Sequence, residues 1–524
     1  MSQNVQVILE PVRLPGAPAE RLRDVAAAHP AVTAHFAGTD GAGGGLDADR
    51  LMIGPAEPLG HDPTKDSPFR ATVFDPHANV AVELRGHLDA LDDAEVTPST
   101  LRPLPSAAEL RAAAEILRAD PRFPASPGVV IYQPMPPLAD RELPDGTRRR
   151  RPVLGVYNPS GRPVHRFAAV DIPAREVEWD AKGVHAASDN DCEKRLPRGV
   201  EAIEDPGGPA AVRVRVVEAE GGELWNLVVV RPRDSAPRSN GKGSGVELRE
   251  VRYRGRLVLR QAHVPVLNVL YDDEVSYRDW QNGETVFRAR GSDPVGHGWR
   301  LCDEPPKTIL EAGDDEGDFQ GVALHHDGRE LRIVSELEAG WYRYVSDWRL
   351  ADDGVIKPRF GFAGVRNPRT CMRHRHHAYW RFDFDIAGAS SDVVEQLGAD
   401  DRWTRIVRET SRRRGPDVRE WRVRDKVTGA GYRIVPGRHD GRADAYGVAD
   451  AWFLRYHPEE LSDGVDIVGG TPAETRIQID PFVDGESIDG ANLVVWYAGH
   501  FLHDENSPTA HSGGHIVGPD LIPL

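Results

Sequence analysis

The stretch CMRHRHHAYWRFDFDI, residues 371–386, decides the reading of this chain. On a strand, residues i and i+2 face the same way. His374 and His376 therefore share one face and His377 points to the other. Two imidazoles so placed suit a copper, zinc, iron or nickel ion, although His-x-His also occurs on plain surface strands. Asp383 and Asp385 repeat the geometry. Two carboxylates on one face repel unless a cation such as Ca²⁺ or Mn²⁺, or an arginine such as Arg381, neutralises them. The C-terminal run NLVVWYAGHFLHDENSPTAHSGGH adds His500, His503, His511 and His515. A third imidazole for the 374/376 pair could come from here, and spacing alone does not rank His500 against His503. His325 and His326, after an apolar run, read as strand-end or loop residues.

Outward from this stretch, short β-branched or alternating runs recur: AVRVRVVEA, LWNLVVVRP, LREVRYRGRLVLRQ, GVALHH, LRIVSEL, TRIQID and NLVVWYAGHFLH. Turn residues separate most of them, which predicts a large antiparallel β-sandwich. We place it over 246–524. Upstream, ATVFD, VAVELRG, GVVIYQP and HRFAAVDI read as strands around a helix at 105–123, with Ser106 and Glu109 as its capping box. This predicts one or more small α+β domains over 61–185. Residues 186–245 read as a loop-rich linker with the first strands, and 1–60 as a partly irregular N-terminal extension with a flexible turn at GTDGAGGG (38–45). The fold class is mainly β. The basic run Arg148–Arg151 reads as an anion site or, by expectation, a solvated hairpin tip after Asp145-Gly146.

The 524 residues carry 82 acidic and 65 basic side chains, a net charge of −17. Such a balance argues against nucleic acid and against an anionic membrane surface. No run of 18 apolar residues exists and the first residues lack a secretory pattern, so no membrane partner is expected. Cys192, Cys302 and Cys371 are odd in number and far apart, so the expectation is a reduced, cytoplasmic protein without a disulfide framework. Phosphate-loop, dinucleotide, nucleophile-elbow and H-E-x-x-H motifs are absent from the sequence.

Together these segments resemble the copper amine oxidases, over roughly residues 246–524. In that family a strand carries H-x-H followed by Arg-Leu-Asp-Met. Here His374-Arg375-His376 and Arg381-Phe382-Asp383-Phe384 stand at the matching offsets. The family's third copper ligand lies seven residues after the Trp of a V-V-W-Y segment, so the resemblance puts it at His503. It also implies a second ion, Ca or Mn, at Asp383, Asp385 and Asn492, where the family usually has Asp. The family cofactor topaquinone forms from a Tyr in T-x-x-N-Y-[DE]-Y. The segment Glu338-Ala339-Gly340-Trp341-Tyr342-Arg343-Tyr344 aligns through Gly340, Tyr342 and Tyr344. Tyr342 is thus the implied precursor, flanked by Trp341 and Tyr344. Glu338, Trp341 and Arg343 depart from the pattern, and the bulky indole is expected to narrow the cavity or stack on a ring.

Arg278-Asp279-Trp280-Gln281-Asn282 resembles an R-x-W-Q-N stretch whose Trp precedes the catalytic Asp base by five residues. That position is Thr285, which cannot act as a base. Glu284, nearest in sequence, Asp279 and Asp273 are the remaining candidates. The resemblance implies oxidation of a primary amine by O2 to aldehyde, NH3 and H2O2, in a homodimer. The alternative is a copper protein of the same fold with an unmodified Tyr342 doing different O2 chemistry or binding.

Overall fold

The computed structural model describes residues 5–16, 19–36, 51–60, 66–76, 78–144, 146, 148–181, 197–200, 207–365, 367–386, 388, 391–504 and 515–524. The turn at 38–45, Asp145, Cys192 and His511 lie outside the described residues.

Two large sheets dominate the molecule, one of 11 strands and one of 12. The first runs from an edge at Val5–Val12 through Ala211–Glu218, Glu223–Val230, Glu247–Tyr253 and Arg256–Tyr271 to His374–Phe384, Leu493–His503 and Ala451–Arg455. The second has Glu330–Ala339, Tyr342–Ala351 and Ile356–Gly364 as successive antiparallel neighbours. Their inner faces share one apolar core that includes Trp225, Trp348, Phe360, Trp380 and Trp421. Burying each such side chain contributes about 1.5–3 kcal/mol or more. Indole N–H groups also stitch the layers. Trp225 Nε1 donates to the carbonyl of Ala351 (3.0 Å) and Trp348 Nε1 to that of Val246 (3.0 Å).

Two smaller units precede the sandwich. The helices Ala19–Ala28 and Pro30–Phe36 pack on a five-stranded sheet containing Pro68–Asp75 and Val80–His87. The helix Ala107–Ala119 starts at the capping box of Ser106 and Glu109 and packs on a four-stranded sheet, with Leu110, Ala113, Ala114 and Leu117 inward. No helix among the described residues is long and apolar enough to cross a membrane.

Four expectations change. The first residues are not an irregular extension: Val5–Val12 pairs along its whole length with Ala211–Glu218. The large sheet therefore starts well before residue 246. An edge strand whose partner lies some 200 residues away has no local signal beyond a short alternation. Thr475–Asp480 is not a strand. Pro472–Thr475 is a helical turn capped by Thr471 and Glu474, and the alternating Ile477 and Ile479 are buried without sheet pairing. The basic run is a solvated hairpin only at its start, where exposed Arg148 pairs across the ladder with Glu142. Arg150 and Arg151 are buried, and Arg149, Arg150 and Arg151 are spent on Asp171, Glu109 and Glu178.

Candidate active site

Strand register settles which histidines meet. His374 pairs directly with His503, and His377 with His500. Cross-strand partners share a face, and one residue along the strand reverses it. His374, His376 and His503 thus gather on the inner face. Ring centroids lie 4.8 Å apart for His374–His376 and 4.7 Å for His374–His503. On the outer face His377 and His500 bond each other, Nδ1 to Nδ1 at 2.6 Å. His325 and His326 are remote from this site, held by the Cys302 carbonyl and Asp352.

Tyr342 faces these imidazoles from the opposite sheet. It opens its strand directly after the tight turn Gly340-Trp341, where Gly340 has φ +59° and a Cβ would meet Met135 at 2.4 Å. Its hydroxyl lies 3.1 Å from His374 Nε2 and also contacts the hydroxyl of Tyr271. The proton order follows from the ends. His374 Nδ1 is 2.5 Å from the Met372 carbonyl, which can only accept, so Nδ1 carries the proton and Nε2 offers a lone pair. At the other end, Trp341 Nε1–H donates to the Tyr271 oxygen (3.2 Å). Tyr271 therefore donates to Tyr342, and Tyr342 to His374. Tyr271 sits here because it pairs across the sheet with His374. No sequence signal marks it, since the pairing spans a hundred residues.

Burial holds the ligand candidates neutral. It pushes His374 down to about 3, helped by His503, and His376 well below its ordinary range. Neutral imidazole is the metal-binding form. His376 also keeps a buried Nδ1 without a hydrogen-bond partner among the described residues. A small cavity of about 20 Å³, large enough for one water-sized molecule, is lined by Tyr342, His374, His376, His503, Phe362 and His515. His515, 5.2 Å from His503 between ring centroids, is a neighbour that spacing did not single out. Three neutral imidazoles beside a tyrosine fit copper in donor chemistry. Among the described residues, the set of three acidic, His or Cys donors within 4.8 Å of one another is Glu409, Asp484 and Glu486 instead. There Glu409 is already saturated by the backbone N–H groups of Arg455, Asp484 and Gly485. The inner histidines are assembled, with the Tyr342 hydroxyl seated on one donor nitrogen.

The three base candidates separate cleanly. Glu284 forms a fully buried pair with Arg231 and is consumed by it. Asp273 is exposed and paired to Arg369 (2.5 Å). Thr285 is held by Arg198. Asp279 is buried among the tyrosines. Its Oδ2 accepts from the hydroxyl of Tyr344, whose ring stacks on Tyr342 at 5.5 Å and 28°. Its Oδ1 has no partner among the described residues. Burial raises this carboxyl to about 7, partly offset by the Tyr344 hydrogen bond.

The departures around Tyr342 also find partners. Glu338 and Arg343 are cross-strand neighbours, and Arg343 pairs with both Glu338 (3.5 Å) and Asp315 (2.9 Å). Burial opposes the Arg343 charge, but these carboxylates outweigh it and raise its pKa. Trp341 does not stack on Tyr342: the rings are 6.4 Å apart and tilted by 58°. Farther along the histidine strand, Asp383 and Asp385 are buried, Asp383 3.7 Å from Arg381 and Asp385 2.6 Å from Arg260. Asn492 precedes the residue paired with Phe384, so the chain places it opposite Asp385. Burial, with Asp385 adding to it, raises Asp383 to about 7 despite Arg381.

No protein-family model matches the chain, and no curated protein matches it. Solved structures do. A copper-containing benzylamine oxidase from Hansenula polymorpha superposes with a TM-score of 0.58 at 14% identity, covering 91% of this chain and 93% of that one. The lysyl oxidase of Pichia pastoris gives 0.52 at 12% identity, covering 88% and 82%. At these identities the likeness establishes the fold: the chain is a divergent member of it.

Proposed function

We propose that this chain, built on the copper amine oxidase fold, is a copper-dependent oxidoreductase that converts primary amines, O2 and water to aldehydes, NH3 and H2O2. The observation that carries this reading is the contact of the Tyr342 hydroxyl with His374 Nε2, inside a cavity shared with His376 and His503. His374, His376 and His503 would hold copper, and Tyr342 would be the precursor of the quinone. When present, copper and the quinone supply the two-electron oxidation of the amine and the return of those electrons to O2.

The chain's own groups do the rest. Tyr271 and Trp341 fix the orientation of the Tyr342 oxygen. The aromatic walls exclude water, which strengthens every polar contact inside. Asp279 is the base: its unpartnered Oδ1 takes the proton from the carbon bearing the amine. Asp383, Asp385 and Asn492 would hold a second, oxygen-liganded ion, whose charge would offset the two buried carboxylates. A homodimer belongs to this reading.

The copper-loaded protein, exposed to air, should turn pink and give a visible phenylhydrazine adduct. A colourless, copper-bound, oxygenated protein sinks the quinone assignment. His503→Ala is expected to lose essentially all bound copper, whereas His500→Ala, on the outer face, keeps it at a cost of about 1–3 kcal/mol in stability. Copper content by atomic emission on folded protein separates the two. Glu284→Ala leaves Arg231 buried without its partner, so it should destabilise the fold by about 3–5 kcal/mol. Turnover per folded molecule should hold, and its collapse in folded protein would restore Glu284 as a base.

A further inference from the structure

His374, His376 and His503 reach the inner cavity from one sheet, and a fourth imidazole reaches it from the other. His515 stands just before the short strand Ile516–Val517, which pairs with Ile356–Gly364 in the sheet of Tyr342. Its carbonyl accepts from the Phe362 N–H (2.8 Å), and the next residue, Ile516, pairs with Gly361. That register sets the half-buried His515 side chain in the cavity wall beside the other three. The Phe501 ring packs on it at 5.2 Å and 48°, so the imidazole is fixed by an aromatic neighbour as well as by its backbone. The resemblance to the copper amine oxidases accounts for three histidines and assigns nothing to His515.

Ring spacing decides whether the four can serve one ion. With a metal–nitrogen distance of about 2.0 Å, imidazoles at adjacent positions around one ion stand about 4.5–5.2 Å apart between centroids. The successive separations here are 4.8 Å for His376–His374, 4.7 Å for His374–His503 and 5.2 Å for His503–His515. The last falls in the same range as the two pairs already read as ligands. A proton on His515 would be felt at His374 and His376, so the four rings form one electrostatic cluster. Imidazoles crowded in this way repel once more than one is protonated. A shared cation removes that repulsion, because each ring then binds through a neutral nitrogen lone pair.

We infer that His515 is a fourth copper ligand, contributed from the sheet that carries Tyr342, so that the ion would tie the two layers of the sandwich together. The inference rests on the copper reading of His374, His376 and His503 and extends it by one residue. The protein donor set is then four imidazoles, a ligand type that suits copper.

The test is copper binding by the full chain as wild type, as His515→Ala and as His87→Ala, an exposed histidine elsewhere. Affinity is read by competition against a chelator, and the nitrogen ligands by pulsed EPR on the Cu(II) forms. Expected is at least about a hundredfold weaker copper binding by His515→Ala. The wild type should show four coupled imidazoles and the variant three. The copper-induced rise in Tm should shrink in the variant, and added free imidazole should restore part of each loss. His87→Ala should match the wild type. Unchanged affinity in His515→Ala, or an equal loss in His87→Ala, overturns the inference. So does weaker binding with the same imidazole count in both proteins, which makes His515 a neighbour of the ion and not a ligand. If His515→Ala fails to fold, the wild-type count decides, and three coupled imidazoles there overturn the inference. Wild type that takes up no copper sinks the copper reading itself, and the fourth ligand with it.

Discussion

Tyr342→Phe should abolish amine turnover completely while leaving copper in place. The hydroxyl is the atom through which the ring meets the inner-face imidazoles, and a phenyl ring offers neither the oxygen nor the activated position that quinone formation needs. The proposed ligands are untouched, because His374, His376 and His503 all belong to the facing sheet. The variant should be colourless, unreactive to phenylhydrazine and silent in H2O2 release, yet give a Cu(II) resonance. The lost oxygen leaves the Tyr271 hydroxyl without its acceptor, a cost of about 1–3 kcal/mol that a melting curve will show. Wild-type turnover in the folded Phe variant would end the quinone reading.

Asp279→Asn carries the second large effect, and its two readouts move in opposite directions. Removing a positioned base lowers the rate by about 10²–10⁴. Stability should rise. Burial lifts the folded-state pKa of Asp279 from 3.8 to about 7, so the folded chain resists its ionisation. That penalty is absent below the unfolded value, grows as pH climbs between the two values, and is complete above about 7. At full size it is about 4 kcal/mol, and asparagine never ionises. The variant should thus melt above the wild type in mildly basic buffer, with the gap closing toward acid. In the wild type, kcat/KM should rise through about pH 7 as the carboxyl loses its proton. A rate that survives the substitution, or a variant that melts lower in basic buffer, removes Asp279 from the mechanism.

The sandwich was legible because its strands carry their own alternation and turn residues, and the 107–119 helix because its cap is written in four consecutive residues. His374 and His376 were readable from spacing two apart. His503 was not, until resemblance or register chose it over His500. The proposed base was obscured for a related reason. Counting from Trp280 led to Thr285, and sequence proximity favoured Glu284, while only packing shows Glu284 locked to Arg231 and Asp279 facing Tyr344. Tyr271 and Val5–Val12 depend on partners far along the chain, and no local pattern reports such pairings. The flanking oddities at Glu338 and Arg343 looked independent in sequence; opposed across a hairpin, they are a single change made twice.

Tyr342 is moored at two ends by different layers: its backbone follows a two-residue turn in one sheet, and its oxygen is gripped from the other by Tyr271 and His374. Removal of that oxygen, as in Tyr342→Phe, takes away the far mooring and leaves the ring held from its backbone and by its stacking on Tyr344.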